Sequence, residues 1–443
     1  MRNKIITAFF CLLLAVAALA GLIMPDRYYS EREKRTLTQK PQFTIADFIS
    51  GRFSDNLESY LTDQDPLRDG WVTMKTYLDL AVGKKESGGV YICKDKYLMD
   101  KFISYSKKQL AANAASLADL QEKLAAEGIS MQTILVPMAA QVLTDKLPAY
   151  APVADYAAIL QVLTDSGVDT TDVFSVLAAH SSENIYYRTD HHWTARGAYE
   201  AYIAFCKSSG LPPVSLEEME HQQIDGFLGT FYSQTHDSQL AQTPDFVEYF
   251  VPPVQTTTTR YQTGAPFTPI DSSIFASYAT GGQNTYSVFL HGDFPLTHIQ
   301  TDNRTGRKIL LVKESYGNAF APFLACNFDE VYIVDQRYFE LGLVDFVKEH
   351  GITDLLFLNN IFAVNTDVRI RELSRIQNQS YQPISQQPVQ QPTQQTQEIE
   401  KEAEEQREEM SNQSKEQAEK QENETPSKPS KTEDPPRRLG HRE

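Results

Sequence analysis

Apolar residues recur at helical spacing early in the chain, at Ile49, Phe53, Leu57, Tyr60 and Leu61, then at Trp71, Met74, Leu78 and Ala81. Each set predicts an amphipathic helix. Gly88-Gly89 breaks that pattern, and Val90-Tyr91-Ile92 with Tyr97-Leu98-Met99 predicts a small hairpin. The Ala/Leu-rich stretch 107–127 predicts a long helix stopped by Gly128, a residue that readily takes the left-handed conformation of a helix end. Met131–Pro137 reads as a buried strand, and a helix follows near 156–164. The same alternation returns later, with strands over 308–312, 330–334 and 355–358 and helices over 319–325 and 343–349. Strands alternating with helices predict an α/β layer with a central, mainly parallel sheet. Between about 211 and 302 the pattern gives way to Thr, Gln, Pro and aromatic residues, including Thr256–Thr259, and this region reads as a β-rich insertion. No internal repeat is visible.

The two ends differ from the body. From Ile5 to Met24 no residue is charged, and a helix of that length spans ~30 Å, the thickness of a bilayer core. Ala18-Leu19-Ala20 also has the small-x-small form of a signal-peptidase site, so residues 1–25 are a membrane anchor or a signal segment. The run is long for a signal peptide, which favours the anchor. Either reading exports the rest, as a membrane-anchored extracytoplasmic domain or a secreted protein. Arg2 and Lys4 precede the run while Arg27, Arg32, Lys34 and Arg35 follow it, so flanking charge alone sets orientation weakly. Residues 26–104 form a membrane-proximal helical segment, and 105–375 hold the α/β domain with its insertion. Residues 376–443 are rich in Gln, Glu and Lys and too poor in apolar side chains to offset the entropy of ordering, so they read as a disordered tail.

Charge narrows the partners. The formal net charge is −17; the tail from Ile376 contributes −5 and residues 1–375 the other −12. An acidic body with no basic stripe repels phosphate backbones and argues against nucleic acid. The four cysteines, Cys11, Cys93, Cys206 and Cys326, form no CxxC pair and suggest neither a disulfide framework nor a zinc site.

Two clusters carry candidate chemistry. Asp190-His191-His192-Trp193-Thr194 lies just before a helix beginning near Ala195. A carboxylate two residues from an imidazole can fix its tautomer, leaving the other ring nitrogen to deprotonate a hydroxyl. The plain alternative is a loop hydrogen bond. The second cluster is the strand Ile309–Val312 running through Lys313-Glu314 into Ser315-Tyr316-Gly317-Asn318. A serine on such a strand-to-helix turn presents its hydroxyl above the sheet edge, and the alternative is an ordinary helix cap. His291-Gly292-Asp293 reads as a Gly-Asp turn before a strand, with an accessory site as the rival.

Taken together, the two clusters resemble the SGNH hydrolase superfamily in permuted order, and the chain is similar to the DHHW proteins and the alginate O-acetyltransferase-like group. Asp190-His191-His192-Trp193 and Lys313-Glu314-Ser315-Tyr316-Gly317 carry the resemblance, which covers roughly 31–365. It implies a three-layer α/β sandwich, with Ser315 as nucleophile, His192 as base, Asp190 as its orienting acid and His191 as the rival base. It also implies oxyanion donors among the Ser315 backbone N–H, Asn359, Asn360 and Arg337. The asparagines are equally readable as turn residues, and Arg337-Tyr338 as sheet-edge packing. The Gly-Asp-Ser signature of the superfamily is replaced by Lys313-Glu314-Ser315.

The implied function is acyl transfer or acyl hydrolysis on a cell-surface polysaccharide, as an O-acetyltransferase or esterase. The implied partners are a glycan or acyl ester and a membrane-bound O-acyltransferase that supplies the acyl group. No cofactor or metal is called for. A non-catalytic SGNH-like surface binding or scaffold protein is the alternative. An Asp-His-His metal phosphoesterase is the third reading, and no Asp-x-Asp cluster accompanies it near the N-terminal strands.

Overall fold

The computed structural model describes residues 4–12, 24–30, 35–235, 238–262, 268–279, 284–364 and 367–380. Residues 4–12 are helical, and residues 13–23 of the expected span lie outside the described residues. Among the described residues no helix is long and apolar enough to cross a membrane. The tail beyond 380 is likewise outside them.

Strands β1 (Tyr29–Ser30) and β2 (Arg35–Thr36) pair antiparallel ahead of three helices, Ile45–Ser50, Arg52–Asp63 and Arg68–Ala81. The predicted amphipathic pair is therefore three helices, with Gly51 at φ 83° separating the first two. Their apolar stripe stays largely uncovered, with Phe48, Ile49, Leu61, Trp71, Met74 and Leu78 exposed. Strands β3 (Glu86–Ser87), β4 (Val90–Ile92) and β5 (Leu98–Asp100) form a small antiparallel sheet. Tyr91 and Met99 of that sheet are buried in the main core, so a division near residue 104 does not separate it from the α/β body.

The central sheet has seven strands. After β6 (Ser130–Val136) come β7 (Glu220–Phe227) and β8 (Asp245–Val251), which form a separate antiparallel ribbon. Then follow β9 (Thr256–Tyr261), β10 (Pro269–Ser272), β11 (Leu296–Thr301), β12 (Lys308–Lys313), β13 (Glu330–Asp335) and β14 (Asp354–Asn360). Their spatial order is β10-β9-β11-β13-β12-β14-β6. The run β13-β12-β14-β6 is parallel, and β10, β9 and β11 add on antiparallel. The sheet is thus mixed, which corrects the mainly parallel expectation. Three strands of the region taken as an insertion complete the sheet because β11, which reads Leu-Thr-His-Ile-Gln-Thr, buries Leu296 and Ile299 against it.

Alternate residues along the strands feed opposite faces, as the period of a strand requires. Ile309, Leu311, Val331, Ile333, Leu356 and Leu358 enter one core with the helices Ala195–Ser208 and Tyr316–Leu324. Leu310, Val312, Tyr332, Val334, Leu355 and Phe357 enter the other with the helices Lys107–Ala126, Tyr156–Asp165 and Leu343–Glu349. The last described helix, Asp367–Asn378, buries Leu373 and Ile376 in that second core. The folded body therefore runs slightly past the boundary at 376.

Candidate active site

Ser315 stands where β12 ends, as the cap of the helix Tyr316–Leu324, with φ −58° and ψ −23°. Gly317 makes this sharp turn possible: a Cβ there would sit 2.5 Å from the Lys313 Cβ. Asp190 and His192 lie on the loop before the helix Ala195–Ser208, whose first turn is capped by the Thr194 hydroxyl accepting from the Gly197 N–H at 3.3 Å. Trp193 is fully buried, and its indole N–H donates to the Tyr316 carbonyl at 2.9 Å. That bond ties the histidine loop to the serine turn.

The three residues form a continuous chain. His192 Nδ1 is 2.6 Å from Asp190 Oδ1, and His192 Nε2 is 2.8 Å from Ser315 Oγ. In that arrangement Nδ1–H donates to the carboxylate and Nε2 accepts from the serine hydroxyl. The His192 ring stacks on Tyr286 at 3.9 Å and 10°, which fixes its plane. Tyr286 also donates through its hydroxyl to the Ser315 carbonyl at 3.1 Å.

Asp190 is 3% exposed, and burial alone would raise its carboxyl. The two adjacent imidazoles and the hydrogen bonds outweigh that cost and hold it well below the usual carboxylate range. Its second oxygen accepts from the Thr230 N–H at 2.8 Å and the Thr230 hydroxyl at 3.1 Å. Gly229 permits the approach, since a Cβ there would lie 2.2 Å from the Asp190 Cβ and 2.4 Å from Oδ2.

His191 points elsewhere. Its Nδ1 lies 2.7 Å from the Thr230 hydroxyl and 3.6 Å from Asp190 Oδ1, with no hydrogen bond to Ser315 among the described residues. Burial and the neighbouring His192 lower its pKa and favour the neutral ring. The Tyr316 hydroxyl donates to the His191 carbonyl. Asp190, His191 and His192 have the spacing of a metal group. The best-placed ligand atoms are already engaged with Thr230 and Ser315, so a cation would have to break the chain just described.

The oxyanion candidates separate. Asn359 is fully buried, its amide oxygen accepting from Gln336 at 3.1 Å and its nitrogen donating to the Leu358 carbonyl at 2.8 Å. It does not line the cleft, whereas Asn360 and Arg337 do. The Asn360 side-chain oxygen accepts from the Ala363 N–H at 2.8 Å, which leaves its NH₂ end available. Arg337 pairs with Asp293 at 2.6 Å and also binds Asp335. Asp293 lies in the Gly-Asp turn, where Leu290, His291 and Gly292 all have positive φ.

Lys313 and Glu314, the departures from Gly-Asp-Ser, have distinct surroundings. Lys313 is 1% exposed, with Nζ 2.7 Å from Asp293 and 3.3 Å from Asp335. Removing it leaves the buried Asp335 and the half-buried Asp293 sharing one guanidinium. Lys313→Met, which keeps the apolar stem, is expected to cost about 3 kcal/mol in a urea unfolding titration. Glu314 is buried, which pushes its carboxyl pKa up. It accepts from the Tyr316 N–H at 3.3 Å and the Asn360 N–H at 3.1 Å, and lies 3.2 Å from Ser315 Oγ.

Above Ser315 opens a cleft of about 570 Å³, lined by Asp100, His191, Phe231, Glu314, Arg337 and Phe362 among others. Gly229, Thr230, Tyr286 and Asp100 were not singled out from sequence. The Gly-Thr step after β7 is the one local signal for the first two, because a glycine there permits close backbone approach.

The comparisons agree with this architecture. A DHHW family protein from Eubacterium siraeum has a crystal structure matching with a TM-score of 0.60 at 30% identity, covering 67% of this chain and 98% of that one. The structure of Bacillus cereus PatB1 with a sulfonyl adduct matches with a TM-score of 0.54 at 17% identity, covering 65% of this chain and 98% of that one. The probable alginate O-acetylase AlgJ of Pseudomonas syringae pv. tomato is 21% identical over 195 residues, 42% of this chain and 49% of that protein. The match thus spans about half of that relative's length. The family model described as DHHW protein matches residues 78–334, more than half of the chain, and the chain belongs to the DHHW family.

Proposed function

We propose that this chain transfers an acyl group, through an acyl-Ser315 intermediate, onto a hydroxyl of a cell-surface polysaccharide. The observation that carries the reading is the unbroken Asp190–His192–Ser315 chain at the floor of an open cleft, with contacts of 2.6 and 2.8 Å. The similarity to a probable alginate O-acetylase supports polysaccharide as the acceptor class.

In the first half-reaction His192 Nε2 takes the Ser315 proton as Oγ attacks the donor's carbonyl carbon. The tetrahedral intermediate then collapses, the donor's ester bond breaks, and the imidazolium returns the proton to the leaving group. In the second half, His192 deprotonates the acceptor hydroxyl, whose oxygen attacks the acyl carbon, and Ser315 leaves with the proton restored. With water as acceptor the same steps make an esterase. The Ser315 N–H and the Asn360 amide are the oxyanion donors in this reading, with Arg337 at the cleft edge. The apolar run Ile5–Met24 supports a domain held outside the cytoplasm at the membrane, and in this reading a membrane-bound O-acyltransferase supplies the acyl group.

One observation favours a second reading, a non-catalytic glycan-binding protein. The Glu314 carboxyl takes the Tyr316 and Asn360 N–H groups, donors that an oxyanion would otherwise attract. The test is reaction of the purified chain with a sulfonyl fluoride, the reagent class suggested by the adduct on B. cereus PatB1. Mass spectrometry is expected to find the adduct on Ser315, formed about tenfold faster in Glu314→Gln, which removes the competing negative charge. No adduct in either folded protein, with no hydrolysis of p-nitrophenyl acetate, would replace the first reading by the second.

A further inference from the structure

The cleft over Ser315 carries groups that the acyl-transfer steps do not use. Asp100, at the end of β5, lines it from the small sheet that precedes the α/β domain. Its carboxyl has no hydrogen-bond or ion-pair partner among the described residues, and it is close enough to His191 and Asp190 to act on them through its charge. Burial raises its pKa to about 6, so near neutral pH it is an ionised hydrogen-bond acceptor looking for a donor. The Gln234 side chain lines the same wall and is exposed. Phe362, 55% exposed and edge-on to Phe102 at 6.0 Å, offers an aromatic face at the rim. An aromatic face beside a free carboxylate and an amide suits a pyranose ring, whose C–H face packs on the ring while its hydroxyls donate to the carboxylate.

The same wall is hostile to a carboxylate-bearing sugar. Asp100 and Glu314 line the cleft, and Asp190 lies just beneath it. Among the described residues Arg337 is the one Lys or Arg side chain lining it, and Arg337 is held by Asp293 and Asp335. An incoming uronate would meet the Asp100 carboxylate, which has no partner among the described residues, and find that guanidinium engaged.

Resting on the proposed reading of the cleft as a glycan site, we infer that its acceptor is an uncharged sugar, bound through its hydroxyls by Asp100, and that uronic-acid glycans are rejected.

Binding tests this without acyl donor, so the result is independent of whether Ser315 carries chemistry. The probes are β-1,4-mannotetraose and β-1,4-tetramannuronate, which differ only in carrying CH₂OH or carboxylate at C6, titrated calorimetrically into the full chain at neutral pH and low salt. Mannotetraose is expected to bind at least about tenfold more tightly. Asp100→Asn is expected to weaken mannotetraose and strengthen tetramannuronate, closing the gap to about threefold or less. Equal or tighter binding of tetramannuronate by the wild-type chain, binding of neither tetramer at millimolar concentration, or a gap unchanged in Asp100→Asn would each overturn the assignment. Sulfonylation of Ser315 alongside any of these results would leave the acyl-transfer reading standing.

Discussion

Asp190→Asn is expected to lower turnover of p-nitrophenyl acetate by about 10⁴-fold in a protein that remains folded. The reason lies in how the four hydrogen bonds to this carboxylate are shared. Oδ2 accepts from the N–H and hydroxyl of Thr230, and Oδ1 accepts from the backbone N–H and ring Nδ1 of His192. An asparagine has one oxygen and one NH₂ group. With the oxygen kept by the N–H and hydroxyl of Thr230, the NH₂ faces His192, meeting its backbone N–H as well as Nδ1. Nδ1 must then accept, which moves the ring proton to Nε2, and Nε2 can no longer take the proton of Ser315. The site would look intact and hold the wrong tautomer. His191→Ala provides the contrast, because His191 bonds to Thr230 and not to Ser315. Its loss is expected to cost about tenfold or less, through looser positioning of Thr230. Steady-state kinetics with circular dichroism separates the outcomes. A loss below about tenfold in Asp190→Asn would show that the carboxylate does not orient the base.

The parts of this site that the sequence makes legible are those whose signal is local. Ile309–Val312 and Leu355–Leu358 are short apolar runs that only a buried strand explains, and both lie in the parallel half of the sheet. Asp190 and His192 are two residues apart, so one loop brings them together whatever the rest of the chain does. Ser315 is readable because an apolar strand ends beside a glycine. The antiparallel half is different. Thr256–Tyr261 carries no strong apolar alternation, and its place in the sheet depends on pairing with β11, whose residues lie about forty positions away. Asp100 reaches the cleft only because β4 and β5 pack against Phe231 and Leu240. Glu314 was visible as a departure from Gly-Asp-Ser, but its bond to the Asn360 N–H depends on the neighbouring strand β14. Such long-range contacts have no local periodicity to betray them. The exposed apolar stripe on the helices 45–81 shows the converse: helical spacing identifies the helix without saying what its apolar face meets.

Gly229→Ala carries the second large effect, and it acts on a residue it does not replace. The added methyl would stand 2.2 Å from the Asp190 Cβ and 2.7 Å from its Cγ, inside any van der Waals contact. The glycine backbone has little room to retreat. Its N–H donates to the Thr189 hydroxyl at 3.1 Å, and the next N–H, of Thr230, donates to Asp190 itself. Thr189 is in turn held by Asp245 through its N–H at 2.8 Å and its hydroxyl at 2.7 Å. The strain is therefore relieved at the carboxylate, which shifts away from Thr230 and swings the His192 ring it orients. A displacement near 1 Å in a positioned catalytic group costs about 10²-fold in rate. Turnover is expected to fall by that factor, with KM little changed, because Gly229 is not part of the cleft lining. Overpacking also costs stability, about 1–3 kcal/mol, so the rate alone would not distinguish misplacement from partial unfolding. Adding Gly229→Ala to Asp190→Asn does distinguish them. If the methyl acts through the carboxylate, the double variant is expected to turn over within about threefold of Asp190→Asn alone, since the group it displaces has already lost its effect. A further 10²-fold loss in the double variant would mean that Gly229 serves the fold and not the triad.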